Sequence, residues 1–331
     1  MRTPAVAFLW FALAVILLAG CGRQERPSPK DKVTIAVSRW PASAPFYIAA
    51  EKGYFADEGL DATLRSYASG HLAFTHMLAG GAEFATCADT PIALAAVRGK
   101  RFVVLATIAE IDQPIVIVAR RDRGISAPDD LRGKRIGLTA GSAAEFFLHV
   151  YLTTSYIDPK GVRVVNVDTD RVVDALLNGE VDAVSTWAPY SSILRDRLGG
   201  KALTLGDPSI YTMMWNVSAT PEFVKNRPDC VRKLLRALFR ANSFISEHPD
   251  EALTVTAQRT DMDVRTLKET WRTYSFDTVL DQSLIVNLED QARWMIKEEA
   301  GGAGKVPDFG SLIYTGGLGA VRPEAVRVPG R

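Results

Sequence analysis

Short loops that follow predicted strands carry the side chains of this 331-residue chain best suited to hold a small ligand. Several of them are rich in small and hydroxylated residues, which let a ligand approach the backbone closely. A helix start in such a loop offers free N–H groups and a dipole end of about half a positive charge. This chemistry suits binding better than catalysis. The loops lie at 38–43, 69–71, 88–90, 110–113, 139–144, 168–170 and 186–189. With one residue from a strand pattern, the candidate ligand-binding residues are Ser38, Arg39, Trp40, Pro41, Ser69, Gly70, His71, Ala88, Asp89, Thr90, Gly141, Ser142, Ala143, Trp187 and Trp215.

Several of these side chains have an alternative role that the sequence leaves open. Ser142 opens a capping-box pattern with Glu145, worth about 1 kcal/mol of helix stability, so it either caps the helix or contacts the ligand. Trp40 and Trp187 lie beside prolines, where a large ring either stacks on a ligand or fills a seam between domains. His71 either donates to the ligand or lies solvated at a helix start.

The two charged candidates also have alternative roles that the sequence leaves open. Arg39 is the cation of these loops and would pair with an anionic ligand or lie on the surface. Asp89 either caps the helix predicted at Thr90 or accepts from a ligand amine.

The sequence has no nucleophile elbow, no metalloprotease motif and no phosphate or dinucleotide loop. His71 and His76 are five residues apart and point to different faces of a helix, so no metal and no cofactor is predicted.

The first 21 residues form an export signal. Residues 5–19 are all apolar, too short a run to span a membrane, and they follow Arg2. The tetrad 18–21 (LAGC) resembles the lipobox of bacterial lipoproteins, which implies acylation of Cys21. We therefore predict a signal peptide at 1–20, a tether at 21–32, and a lipid-anchored protein in the periplasm or at the cell surface. The alternative is an export signal without lipidation.

Composition fits a globular protein of about two domains, since 47% of the residues are apolar and 23% are charged. Removing Arg2 with the signal leaves 38 basic and 38 acidic side chains, which offer no field to attract nucleic acid. We expect a monomer. Cys87 and Cys230 are predicted to be buried free thiols, although an exported protein could also bridge them.

Short apolar runs alternate with helical patterns, which predicts an α/β fold with mostly parallel strands. We predict strands at 33–37, 62–67, 84–87, 102–108, 115–119, 135–138, 162–167, 183–186 and 213–218, long helices at 229–247, 264–273 and 282–299, and a surface coil at 300–331. The segment 67–83 is echoed 99 residues later by 166–182, with the order strand, loop, helix, turn, acidic residue and strand. Two similar α/β lobes follow from this echo.

Four stretches resemble the substrate-binding proteins of ABC importers for nitrate, sulfonate and taurine, a superfamily that includes thiamine-pyrimidine binders. They are 45–60 with Gly-Tyr-Phe-x-x-Glu-Gly-Leu, 131–138, 178–189 with Gly-x-Val-Asp-Ala, and 321–326. The resemblance implies the type II fold of periplasmic binding proteins, with two lobes, two hinge crossings and the ligand in the cleft. Lobe 1 would comprise 33–112 plus 210–331, and lobe 2 would comprise 113–209.

The resemblance also implies a function and its partners. The protein would capture a small molecule by closing the cleft and would deliver it to a permease and its ATPase subunits. The loop 141–145 has alanines and an acid where sulfonate binders carry hydroxyl groups, which leaves neutral, aromatic or amine-bearing ligands open. The alternatives are a biosynthetic enzyme of the same fold, such as the thiamine-pyrimidine synthase or menaquinone-pathway enzymes, and a ligand-sensing module.

Overall fold

The computed structural model describes residues 30–112, 114–207, 210–300 and 304–328. The predicted signal peptide 1–20, Cys21 and most of the predicted tether lie outside the described residues. The strands are β1 Asp31–Ser38, β2 Leu60–Tyr67, β3 Phe84–Ala88, β4 Val103–Asp112, β5 Ile115–Arg120, β6 Arg135–Leu138, β7 Arg163–Asn166, β8 Ala183–Trp187, β9 Ala202–Leu205, β10 Thr212–Ala219, β11 Tyr274–Ser275, β12 Leu280–Asp281 and β13 Val326–Arg327.

The α-helices lie between these strands, and the longest ones follow β10. They are α1 Ala44–Glu51, α2 Tyr54–Asp57, α3 Gly70–Leu78, α4 Asp89–Val97, α5 Ala143–Thr154, α6 Val172–Leu177, α7 Tyr190–Leu198, α8 Pro221–Asn226, α9 Pro228–Glu247, α10 Pro249–Thr260, α11 Val264–Trp271, α12 Gln282–Ala300 and α13 Thr315–Val321.

The strands form two main sheets. The first has the order β11-β4-β10-β3-β1-β2 and the second has the order β7-β6-β8-β5-β9. The chain passes from the first sheet to the second between β4 and β5 and returns between β9 and β10. We call the elements β5 to β9 lobe 2 and the described elements before and after them lobe 1. This arrangement confirms the predicted two-lobed α/β fold with two crossings.

Strand direction follows from the crossings. In the first sheet β1 to β4 run one way, whereas β10 and β11 are antiparallel to their neighbours. In the second sheet β6 to β9 share one direction and β5 opposes them. Each sheet is therefore mostly parallel, and β5 and β10, which follow the two crossings, run against the majority.

Burial along the strands matches their position in the sheet. All five residues of central β3 are buried, as expected for a strand covered on both faces. Edge strand β2 instead alternates between more and less exposed positions over 60–64. Helices α3 and α4 bury their small and apolar residues, and this packing fixes where each helix begins.

The 99-residue echo corresponds to a shared topology. In lobe 1 the central strand β1 pairs in parallel with β2 and β3, and in lobe 2 β6 pairs in parallel with β7 and β8. The echoed acids play the same part: the Glu83 carboxylate accepts from the Thr34 N–H at 2.6 Å, and Asp182 accepts from the Arg135 N–H at 3.0 Å. The prediction of two similar lobes is confirmed.

Several element boundaries differ from the predictions. Strand β1 begins at Asp31, so the last two residues of the predicted tether belong to the fold. Strand β9 and helix α10 were not predicted, and the predicted surface coil 300–331 contains helix α13. Helix α4 begins at Asp89 with Ala88 as its N-cap, one residue before the predicted start at Thr90, so the prediction that Asp89 is the cap residue is wrong.

Cys87 and Cys230 are both free and buried, as predicted. Within the described part of the chain, no helix combines the length and the apolar character needed to span a membrane.

Candidate functional site

A cavity of about 30 Å³ lies where the two lobes meet. Lobe 1 contributes nine of its lining residues and lobe 2 contributes three, Ser142, Ala143 and Trp187. Ligand sites in proteins usually measure about 300–1,000 Å³. The cavity therefore holds about a water molecule or two, and a larger ligand requires the walls to move. The lining residues are Ser38, Trp40, Ser69, Gly70, His71, Ala88, Pro91, Ser142, Ala143, Trp187, Met213 and Trp215.

Two tryptophans build the lobe 1 wall. Trp40 follows the end of β1 and meets Trp215 of β10 edge to face, with ring centroids 4.9 Å apart. Both are 4% exposed. The Trp215 Nε1–H donates to Ser43 Oγ at 3.2 Å, which fixes that ring, whereas Trp40 Nε1 has no hydrogen-bond partner among the described residues. An indole N–H without a partner is a donor that a ligand acceptor can satisfy.

Three helix starts reach the cavity. Helix α3 begins at Gly70 with Ser69 as its cap, α4 begins at Asp89 after Ala88, and α5 begins at Ala143 after Ser142. The first N–H groups of a helix have no acceptor within the helix, so these starts supply donors. The caps already use some of them, since Ser69 Oγ accepts from the Leu72 N–H at 3.3 Å.

The α5 start differs from a regular capping box. Ser142 Oγ accepts from the Ala144 N–H at 3.3 Å and donates to the Thr139 carbonyl at 2.6 Å. Glu145 accepts from the Gly141 N–H at 2.7 Å rather than from the cap residue itself. Ser142 therefore caps the helix and lines the cavity at once, so the two roles that the sequence leaves open are compatible.

His71 lies at the seam between the lobes. Burial, and next the nearby positive charge of Arg98, hold the pKa of His71 below its ordinary value. The imidazole is therefore neutral at pH 7 and offers one donor and one acceptor.

Gly141 brings the two lobes into close approach. A Cβ at this position would lie 3.1 Å from Leu94 Cδ2 and 3.2 Å from His71 Cε1, and the backbone has a φ of +72°. Leu94 and His71 belong to lobe 1, whereas Gly141 follows β6 of lobe 2. Glycine therefore serves here both for its left-handed backbone and for its lack of a side chain.

Asp89 lies behind the lining rather than in it. The carboxylate is fully buried and accepts from the Thr90 N–H at 2.8 Å, Tyr211 Oη at 2.5 Å, the Met214 N–H at 3.2 Å and Asn287 Nδ2 at 2.6 Å. Burial raises the pKa of Asp89, and the donated hydrogen bonds oppose that rise. Because the carboxylate is already occupied by protein donors, it is not available to a ligand amine.

A second contact between the lobes lies outside the cavity. Trp294 of α12 packs on Phe146 and His149 of α5, with ring centroids 5.3 and 5.4 Å apart. Phe146 also meets Tyr211 at 5.5 Å. Helix α12 therefore touches lobe 2 through the indole ring of Trp294.

Ten of the fifteen predicted residues line the cavity and five do not. Arg39 is exposed, Pro41 and Thr90 are buried beside the lining, and Asp89 lies behind it. Gly141 lines a neighbouring cavity with His71 and Glu145. The sequence reasoning missed Met213 and Pro91. Strand alternation would have found Met213, since it shares a face with Trp215, and helical spacing would have found Pro91 one turn after Ala88.

Comparison with known proteins assigns the family. The sequence profile described as NMT1/THI5 like matches residues 40–252, more than half of the chain. The chain belongs to the NMT1/THI5-like family. A relative from Bacillus subtilis (strain 168) is 25% identical over 86% of this chain and 88% of its own. The name of that relative describes it as an aliphatic sulfonates-binding protein. The taurine-binding periplasmic protein of Escherichia coli (strain K12) is 25% identical over 66% of this chain and 68% of its own.

Solved structures share the fold of this NMT1/THI5-like protein. The alkanesulfonate-binding protein SsuA from Xanthomonas axonopodis pv. citri, bound to MOPS, has a TM-score of 0.74 at 16% identity and covers 87% of this chain and 99% of its own. The desulfurization enzyme DSZB has a TM-score of 0.63 at 17% identity, with coverages of 89% and 99%. The likeness confirms the predicted periplasmic-binding-protein fold, which binding proteins and an enzyme share.

Proposed function

We propose that this NMT1/THI5-like protein is an extracytoplasmic solute-binding lipoprotein that captures a small molecule between its lobes and delivers it to an ABC importer. The observation that supports this proposal is the cavity at the lobe junction, which the strand-end loops and helix starts of both lobes line. The proposal includes no catalytic step, and the ligand-recovery experiment below tests this choice. We propose lobe boundaries at 33–112 plus 210–331 and at 113–209.

Cleft closure is the proposed mechanism of capture. A ligand touches residues of both lobes only when the lobes are together, so its differential affinity favours the closed state. The 30 Å³ cavity fits a closed arrangement that must open to admit a ligand. The named relatives direct the search to sulfonates and taurine. The resemblance found in the sequence adds nitrate and thiamine-pyrimidine-like molecules.

A thermal-shift screen of purified 22–331 across sulfonates, nitrate, pyrimidines and amines tests the proposal. A specific ligand at 100 times its Kd should stabilise the protein by about 2.7 kcal/mol. Trp187→Leu should abolish the shift, because Trp187 is the large lobe 2 side chain of the cavity. Phe223→Leu is the control, since Phe223 is half-buried against Phe84 and lies outside the lining. Equal shifts in both variants would contradict binding in the cleft.

Recovery of the ligand separates a binder from an enzyme of the same fold. Mass spectrometry after incubation with stoichiometric protein should return the ligand unchanged. A converted product would replace the proposal with the enzyme alternative that DSZB represents.

Delivery and anchoring need separate tests. The loaded protein should stimulate ATP hydrolysis by its reconstituted importer, whereas activation of a signalling receptor would favour the sensing alternative. An alkynyl palmitate analogue should label the full-length protein in cells, and Cys21→Ser should abolish the label and release the protein from membranes.

A further inference from the structure

The cavity between the lobes is lined without a formal charge. None of its described lining residues is Asp, Glu, Lys or Arg. Its titratable member is His71, whose pKa burial and Arg98 hold below its ordinary value, so it is neutral at pH 7. An ion in this cavity would lose its water without gaining a charged partner, which is costly for a buried ion.

Two charged groups next to the lining, Arg39 and Asp89, do not replace that partner. Arg39 is exposed and lies outside the lining, with its backbone N–H donated to the Tyr67 carbonyl at 2.8 Å. Asp89 is occupied by four protein donors. The cavity therefore offers direct ion pairing neither to an anion nor to a cation.

The helix starts are partly neutralised as well. Three dipole ends at one cavity would usually attract an anion. Two of the three helices carry a carboxylate in their first turn, Asp89 in α4 and Glu145 in α5. A carboxylate brings up to a full negative charge against about half a positive charge at a helix end. The starts remain useful as N–H donors, but their attraction for an anion is reduced.

Aromatic surface dominates the walls instead. Trp40 and Trp215 lie in lobe 1, and Trp187 lies in lobe 2, so rings approach the cavity from both lobes. Indole rings bury large apolar area and pack well against other planar rings. Trp40, which is 4% exposed, also carries an indole N–H that is buried and has no partner among the described residues.

We propose that the cleft selects an uncharged planar ring bearing a hydrogen-bond acceptor and rejects the anion of the same shape. The tryptophans would hold the ring, and Trp40 Nε1 with the N–H groups of the helix starts would bind the acceptor. This inference rests on the proposed function, because it names the class of solute that the cleft takes.

Two matched pairs of probes test the inference. Benzenesulfonamide and benzenesulfonate share size and shape but differ in charge at pH 7, as do nicotinamide and nicotinate. Titration calorimetry should show each neutral member binding at least tenfold more tightly than its anion. Equal or tighter binding of an anion, or binding of taurine and methanesulfonate alone, would overturn the inference and leave the proposed function standing. Failure of every probe here and in the wider screen would overturn both.

Two variants locate the recognition. Trp40→Phe keeps a ring but removes the Nε1 donor, so it should weaken benzenesulfonamide at least fivefold while changing the binding of toluene, which has no acceptor, less than twofold. Trp187→Leu should weaken both probes at least tenfold, and Phe223→Leu should change neither. Unchanged benzenesulfonamide affinity in Trp40→Phe or in Trp187→Leu, with native melting curves, would overturn the assigned contacts.

Discussion

The contact at Gly141 predicts how tightly the two lobes must close. We compare Gly141→Ala with Gly133→Ala, since both glycines lie in lobe 2 with nearly the same backbone, φ +72° and +74°. A Cβ at Gly133 meets no atom within 4 Å, whereas a Cβ at Gly141 would approach Leu94 and His71 of lobe 1 to 3.1 and 3.2 Å. The pair therefore separates backbone strain from the contact between lobes.

The expected losses of stability and affinity follow from the backbone strain and from the contact between lobes. Placing an L side chain in the left-handed region costs about 1–2 kcal/mol, and both variants share that loss of folding stability. Overpacking a well-packed contact costs a further ~1–3 kcal/mol, and in Gly141→Ala this cost falls on the closed state alone. Because the ligand binds the closed state, the affinity of Gly141→Ala should fall about 5- to 140-fold below that of Gly133→Ala.

Urea unfolding and ligand titration measure the two terms separately. Both variants should lose similar stability in the absence of ligand, and Gly141→Ala alone should lose affinity, with benzenesulfonamide as the first probe. Equal affinities of the two variants would show that the bound state does not use the contact at Gly141. The reasoning from a closed cleft would then be refuted.

Three further perturbations test other parts of the structure. Gly70→Ala should lower stability by about 1–3 kcal/mol and change the fluorescence of Trp215, because the new Cβ would lie 2.6 Å from Trp215 Cη2; an unchanged spectrum would contradict this contact. A hydrogen bond from Arg135 holds the pKa of Asp182 below its ordinary value. The ionised carboxylate therefore stabilises the fold at pH values above its unfolded pKa of about 3.9. That stabilisation is lost as the pH falls through the folded pKa. Asp182→Asn should therefore cost about 1–2 kcal/mol in urea melts at pH 7 and progressively less below about pH 4, and a constant cost would contradict the ion pair. Trp294→Leu should weaken ligand binding several-fold by removing the ring contact of α12 with lobe 2, and unchanged affinity would show that this contact does not bias closure.

The fold was largely predictable because its signals are local. Runs such as 33–37 and 84–87 are apolar and β-branched, and they lie in the first sheet as predicted. Strand β9 was missed because its sequence, ALTL, is a four-residue run too short for periodicity to separate a strand from a helix or a loop. Helix α10 was missed because its sequence, PDEALTVTAQRT, mixes helix formers with β-branched residues, and tertiary packing decides its form.

The site was predictable at the level of loops and less so at the level of side chains. Ser38 and Trp40 line the cavity while Arg39 between them is exposed, a division set by local backbone direction. Asp89 is buried because donors at Tyr211 and Asn287, more than 120 residues away in sequence, converge on it. No local pattern reports such a convergence, so the sequence could not separate a structural carboxylate from a ligand contact.

The echo of 99 residues explains why the cavity is asymmetric. Ala88 is the last residue of β3 in lobe 1, and Trp187 is the last residue of β8 in lobe 2. At this equivalent position lobe 1 therefore has a small side chain and lobe 2 has a large one. After the central strands the order is reversed, with Trp40 following β1 and Ser142 following β6. Each lobe thus supplies bulk where the other supplies small residues. A tryptophan in place of Ala88 would add about nine heavy atoms beside a cavity of 30 Å³, so closure around any ligand requires this complementarity.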